Sequence, residues 1–482
     1  YQTRVVQNAV THFGLGQTEK ADVLRLVWTN GAPINLIGPK TRTTIWEQQE
    51  LTGSCPYLYT WDGERFVFVT DLLWAAPIGL QLAEGVLAPT REWEYLKVPG
   101  EKLAEKDREY VLQITEELWE AAYFDQVKLL AIDHPADVEV FSNEKVGPAE
   151  IAEFKIHTVR NARVPVSARD QRGRDVLPEI ANRDGRYLKG YDNKLMQGVT
   201  EEHFIELDLG KLKDPKQITL FLTGWIYPTD TSINIGISQN PDIDPPQPPS
   251  LWVLDKGGRW RNVMPYMGFP GGKTKTIAVD LSTVFLTDNY KVRIATSMEI
   301  YWDAIFFTVD DNPANLLQSE LPLVAADLHY RGFSRRIEHP GYGPEDYEYD
   351  SKSAQPKWAP MRGRFTRFGD VTELVAEPDD RLVVMGSGDE MTLRFKANAK
   401  PLPDGWKRDF ILHSIGWDKD ANMNTLYGQT VEPMPFRAMN GYPDADGRQY
   451  PDTEFHRDYL RKYQTRTQSY SRFWRNIREF EK

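Results

Sequence analysis

Apolar side chains alternate with a period of two along most of this chain, and that pattern limits the folds open to it. Val23, Arg25 and Val27 alternate with Leu24, Leu26 and Trp28, and Asn30-Gly31 closes that strand with a hairpin-type turn. A short strand at 43–47 is expected to pair nearby. Two aromatic, alternating stretches flank Asp62-Gly63, which predicts a second hairpin over 57–71. Residues 111–114 and 126–132 read as buried strands, and 137–141 alternates again. Further strands are expected at 203–209, 217–222, 231–237, 275–280, 291–296 and 298–307, then at 382–385, 391–395 and 409–413. Loops rich in Pro, Gly and Asp join them. The expected fold is all-β: several β-sandwich or jelly-roll-like domains, irregular connections and a short C-terminal helical tail.

With 482 residues the chain is long enough for roughly three or four compact units. The expected units are 1–50, a first β-domain at 51–160, a jelly-roll-like sandwich at 161–330, and an irregular β-domain with a helical tail at 331–482. Within this division, 81–110 reads as an inserted loop and 145–200 as a linker or irregular segment. Residues 331–378 are expected to wrap over the sandwiches. A net charge of −12 argues against a nucleic-acid binder, which needs a surplus of Lys and Arg. No apolar run approaches the roughly 20 residues of a membrane-spanning helix. A lone cysteine, Cys55, excludes an internal disulfide framework and a Cys-rich metal site, and reads as a buried small residue. The chain opens at Tyr1 with no leader-like segment, so a removed leader or a longer parent chain is expected.

The box His12-Phe13-Gly14-Leu15-Gly16, the acidic Asp22, the strand ending at Trp28-Thr29-Asn30-Gly31 and the later Thr44-Ile45-Trp46-Glu47 resemble the end of the ASPIC/UnbV module. The stretches 53–71 and 405–436 resemble the C-terminal extension of bacterial proteins carrying that module. In that family the module follows an FG-GAP, integrin-like β-propeller. The resemblance implies an exported protein, periplasmic, cell-surface or extracellular. It also implies partners among other protein subunits or the chain's own N-terminal propeller.

Candidate chemistry is sparse. Pro270-Gly271-Gly272-Lys273-Thr274 lacks the first Gly of a phosphate loop, because Met267 stands there, and reads as a tight turn. Gly386-Ser387-Gly388 reads as a turn for the same kind of reason. Glu299 and Asp303 share a strand face, but four residues of strand separate them by about 13 Å. That exceeds the roughly 5–9.5 Å of a glycosidase pair, so a hydrogen-bonded face is expected. Asp418, Asp420, Asn422 and Asn424 place oxygens at alternate positions, as a Ca²⁺ loop does. The competing reading is an Asx-rich turn that caps its own backbone. Asp444, Asp446 and Asp452 form a weaker candidate of the same kind. Trp225, Tyr227, Trp252, Trp260 and Tyr266 are candidates for a glycan-stacking platform, set against the core-filling role of most tryptophans. The segment 456–482 holds eight Lys/Arg against three Asp/Glu, a charge suited to packing on the acidic body or on a neighbouring copy.

The expectation is a non-enzymatic exported binding or assembly protein, with calcium holding loops rigid. The alternatives are a carbohydrate-binding or carbohydrate-active protein, and a structural subunit of a large envelope or extracellular assembly.

Overall fold

Strands from both halves of the chain interleave in the first sandwich. The computed structural model describes residues 2–47, 49, 53, 56–397, 401–469 and 477–478. One sheet runs Gly369–Asp370, Leu323–Tyr330, Asp389–Lys396, Glu109–Thr115, Tyr57–Trp61, Phe66–Asp71. The facing sheet runs Leu317–Leu321, Glu120–Pro135, Trp406–Asp420, Trp93–Val98, with Val383–Gly386 also beside Glu120–Pro135. Every one of these pairs is antiparallel. The fold is all-β.

Burial explains the long Glu120–Pro135 strand. Ala122 and Phe124 point into the core with Leu112, Ile114, Leu393 and Phe395. Ala121 and Tyr123 point outward, into a second cluster with Trp119, Trp358, Phe365 and Trp417. A bulge between Phe124 and Gln126 inserts one residue and resets the alternation. Val127, Leu129 and Ala131 therefore face the same core as Phe124. The strand is buried on both faces because 358–365 and 431–442 cover its outer side.

A second sandwich is inserted between Pro135 and Leu317. Its sheets run Leu188–Lys189, Ile300–Val309, Ile218–Ile226, Lys275–Asp280 and Ser167–Asp170, Val199–Asp208, Lys291–Met298, Ser250–Leu254, Trp260–Met264. They enclose one core of Leu207, Leu220, Leu222, Val253, Ile277, Ile294, Ile305 and Phe307.

Several local expectations change. Strands of 51–160 and of 331–482 hydrogen-bond within the same two sheets, because pairing joins segments nearly 300 residues apart, such as Gln126 with Ile415. The stretch 81–110 contains the strand Trp93–Val98. Residues 231–237 form the helix Thr231–Ser238, because the Asp230 side chain accepts the Ile233 N–H and caps it. The partner of Val23–Val27 is Pro33–Ile37, and 43–47 is irregular. Among its described residues the tail is helical at Glu454–Lys462, and Tyr459 and Tyr463 enter the first core. Arg466–Gln468 then pairs with Gly363–Phe365. Cys55 and the aromatic residues of 470–476 and 480 lie outside the described residues. No described helix is long and apolar enough to cross a membrane.

Candidate metal centre

Among the described residues, three buried carboxyl groups meet at one end of the first sandwich. The segment 116–119 crosses from the Glu109–Thr115 strand in one sheet to Glu120–Pro135 in the other. It is held in place by the turn at 386–389. Gly388 N–H donates to Glu116 O, Glu116 N–H to Asp389 O, and the Ser387 hydroxyl to Leu118 O. The indole N–H of Trp119 donates to Ala359 O and that of Trp358 to Glu117 O. The crossover is thus tethered at Glu116, Glu117, Leu118 and Trp119 by bonds that involve no carboxylate.

Glu120 and Asp418 both face the core side of their sheet. Asp418 is the register partner of Ala122, a core residue, and Glu120 lies two residues before Ala122. Glu116 reaches the same place from the other sheet. Oxygens of Glu116, Glu120 and Asp418 lie within 4.8 Å of one another. The three residues are 0%, 2% and 5% exposed, so water screens none of these charges. At an effective dielectric constant near 20, each pair of unit charges at that distance repels by about 3–4 kcal/mol.

Burial, with Asp418 adding to it, pushes the Glu116 carboxyl well above its ordinary range. Burial and then Asp420 do the same to Asp418, against a hydrogen bond with Glu120. Asp420 rises to about 6 through burial, although the Thr425 hydroxyl and the Asn422 N–H hold it down. One oxygen each of Glu116 (Oε2) and Asp418 (Oδ1) is buried with no hydrogen-bond partner. Gly53 closes on the cluster: a Cβ built there would stand 2.6 Å from Glu120 Oε1.

Glu117 supplies the contrast. It points to the opposite face, where it accepts from the Tyr59 hydroxyl and from Ser334 and pairs with the buried Arg331 guanidinium. Glu117 has a cation. Among the described residues, neither Glu116 nor Asp418 forms an ion pair with one.

The expected Ca²⁺ loop is divided by the fold. Asp418 and Asp420 belong to the Trp406–Asp420 strand, and only Asp418 joins the triad. Asn422 Oδ1 accepts from the Asn424 N–H and from the Ser232 hydroxyl, and Asn424 Nδ2 donates to Ser232 Oγ. These two residues dock the Thr231–Ser238 helix of the second sandwich onto the first. Asp444 and Asp446 both pair with Arg448, and Asp452 pairs with Arg457. Arg448 holds Asp444 well below the usual carboxylate range.

The aromatic candidates are dispersed. Trp225 is buried and stacks on Tyr301 at 4.8 Å, with Tyr227 at its edge. Trp260 lies under the Arg293 guanidinium, and the Trp252 indole donates to Ser250. Tyr266 donates to Val146 O. The five do not form one platform. Glu299 accepts from the Tyr191 and Tyr301 hydroxyls, Lys194 and the Gly198 N–H, while Asp303 accepts two backbone N–H groups.

Glu116 and Glu120 were missed by the sequence reading. The available signal was three glutamates within Glu116-Glu117-Leu118-Trp119-Glu120, between two strands that read as buried. Carboxylates in such a place need a cation or a proton.

No family model matches the chain, and no curated protein matches it.

Proposed function

We propose that this chain is a non-enzymatic, exported binding and assembly scaffold of the ASPIC/UnbV type. The supporting observation is the seam between the two sandwiches. Buried Lys275 of the second sandwich pairs with buried Asp71 of the first, and donates also to Gly271 O. Asp71 further accepts the Lys273 N–H and the Trp74 indole N–H. Glu144 accepts the Lys97 N–H from one sandwich and the Thr276 N–H from the other. Lys273 reaches Glu345 at 2.7 Å. Buried charged bonds of this kind fix relative orientation more than they add stability. A fixed pair of sandwiches suits a protein whose task is to present surfaces to other subunits or to an attached propeller.

A second reading, saccharide binding, is favoured by one cleft. It measures about 480 Å³ and is lined by Tyr57, Phe333, Arg336, Tyr347, Lys352 and Glu117 among others. Aromatic faces beside charged hydrogen-bonding groups suit a sugar ring.

The test is to mix the purified chain with a propeller-bearing ASPIC/UnbV segment, and to screen the same preparation on a glycan array and against a hydrolase substrate panel. The scaffold reading expects a stable complex and no turnover. Saturable glycan binding without a complex favours the second reading. Turnover abolished by one carboxylate substitution overturns both.

A further inference from the structure

We infer that Glu116, Glu120 and Asp418 bind a divalent, oxygen-preferring cation of the calcium class, which clamps the two sheets of the first sandwich together beside the 116–119 crossover. This goes beyond the scaffold reading and does not depend on it.

Three features point to such a cation. The donors are all carboxylate oxygens, the set that hard cations select. Their spacing fits. Ca²⁺–O bonds of roughly 2.3–2.6 Å put any two oxygens on one ion no more than about 5 Å apart, and these oxygens lie within 4.8 Å. The third feature is independent of the clustering. Glu116 Oε2 and Asp418 Oδ1 are buried without a hydrogen-bond donor, although buried carboxylate oxygens are ordinarily satisfied. Glu117, one residue along, has its arginine and shows what a satisfied buried glutamate looks like here.

The connectivity gives the ion a structural task. Glu116 directly follows a strand of one sheet, and Glu120 and Asp418 sit on adjacent strands of the other. An ion shared by all three links the two sheets beside the crossover, through contacts additional to the hydrogen bonds that already hold it. Directly beyond it, the 422–425 turn carries the bonds to the Thr231–Ser238 helix, including Thr231 Oγ1 with Thr425 Oγ1 at 2.8 Å. Ordering the end of the Trp406–Asp420 strand therefore also orders a contact between sandwiches.

Terbium serves as the probe, because Trp119 and Trp417 each precede a ligand in sequence and can sensitise its emission. The full chain is stripped with chelator at pH 7.5 and titrated with Tb³⁺, then with Ca²⁺ and Mg²⁺ as competitors. The expected result is saturable tryptophan-sensitised emission that Ca²⁺ displaces, with a melting temperature that rises with Ca²⁺ concentration. Asp418→Asn and Glu116→Gln should each weaken Ca²⁺ at least about tenfold, the loss of one direct ligand. Asp444→Asn should leave the affinity unchanged, which separates this centre from the other acidic turn. Displacement by Mg²⁺ in preference to Ca²⁺ overturns the calcium class. Two further results overturn the site itself. One is wild-type protein with no saturable emission and no Ca²⁺ stabilisation. The other is a Glu116→Gln/Asp418→Asn double variant that folds and keeps wild-type Ca²⁺ affinity. A folded double variant also guards against mistaking misfolding for lost binding.

Discussion

Buried carboxyl groups contribute to the stability of this protein with opposite signs of pH dependence. Burial pushes Glu94 up to about 7, with Asp71 adding and Lys275 opposing. Burial and then Asp380 push Asp125 to about 7. Each group holds a proton when folded that the unfolded chain releases above about pH 4. Its contribution to stability is therefore complete below that pH and lost as pH rises through 7. Glu345 has the opposite sign. Burial raises it, but Lys273 and Arg336 override burial and hold it at about 2. Its contribution is present above about 4.5 and lost as pH falls towards 2. His157 and His413, which burial pushes down to about 4, act the other way over the same range, because their contribution is lost as pH falls below about 6.5. The raised carboxyls are therefore tested one at a time: Glu94→Gln and Asp125→Asn should each reduce the loss of unfolding free energy between pH 5 and pH 7.5, by about 2–3 kcal/mol. A pH dependence identical to wild type in both variants would refute the assignment.

At the scale of elements, the seam depends on a single loop fitting against a single strand end. Gly272 has a φ of +69°, and a Cβ there would stand 2.0 Å from both Asp71 Oδ2 and Trp74 Nε1. The glycine lets the 270–274 turn close on Asp71, so that Lys273 and Lys275 both find carboxylates. Lys275→Met leaves Asp71 buried without its cation and should destabilise the chain by roughly 3–5 kcal/mol. Adding Asp71→Asn to it should recover part of that loss, which a double-mutant cycle in urea would measure. Strict additivity of the two changes would show that the pair is not coupled. The turn itself was legible in Pro270-Gly271-Gly272. Its partner was not, because Asp71 lies some 200 residues away and nothing local marks it.

At the scale of the whole molecule, the C-terminal helix completes the first core. Tyr459 and Tyr463 are buried in that core, and the Tyr459 hydroxyl donates to Leu382 O. Arg466 beyond the helix pairs with buried Asp389, the residue at the turn that holds Glu116. Deleting 453–482 should cost several kcal/mol, about 3–5 for each lost core aromatic, and should lower the melting temperature of the isolated chain. A deletion that leaves melting unchanged but shrinks the particle in solution would assign the tail to assembly instead. The excess of positive charge in 456–482 agreed with packing on an acidic body, but charge alone did not distinguish that body from a neighbour.

The order of side chains along this chain determined its strands, and through them an all-β architecture, because period two is a local property of consecutive residues. It also marked the turns at Asn30-Gly31 and Asp62-Gly63, where backbone chemistry is local. It misassigned 231–237, where Ile233, Ile235 and Ile237 alternate like a strand but a capping Asp230 favours a helix. What tertiary structure alone decided was which strands pair and which charges meet. Pairing Ala122 with Asp418 turns a glutamate of one segment and an aspartate nearly 300 residues later towards one point. The acidic turn at 418–424 looked self-sufficient in sequence. In the fold its asparagines are spent on a helix of the other sandwich, and its first aspartate faces two glutamates instead, because electrostatics acts through space and burial removes the water that would screen it.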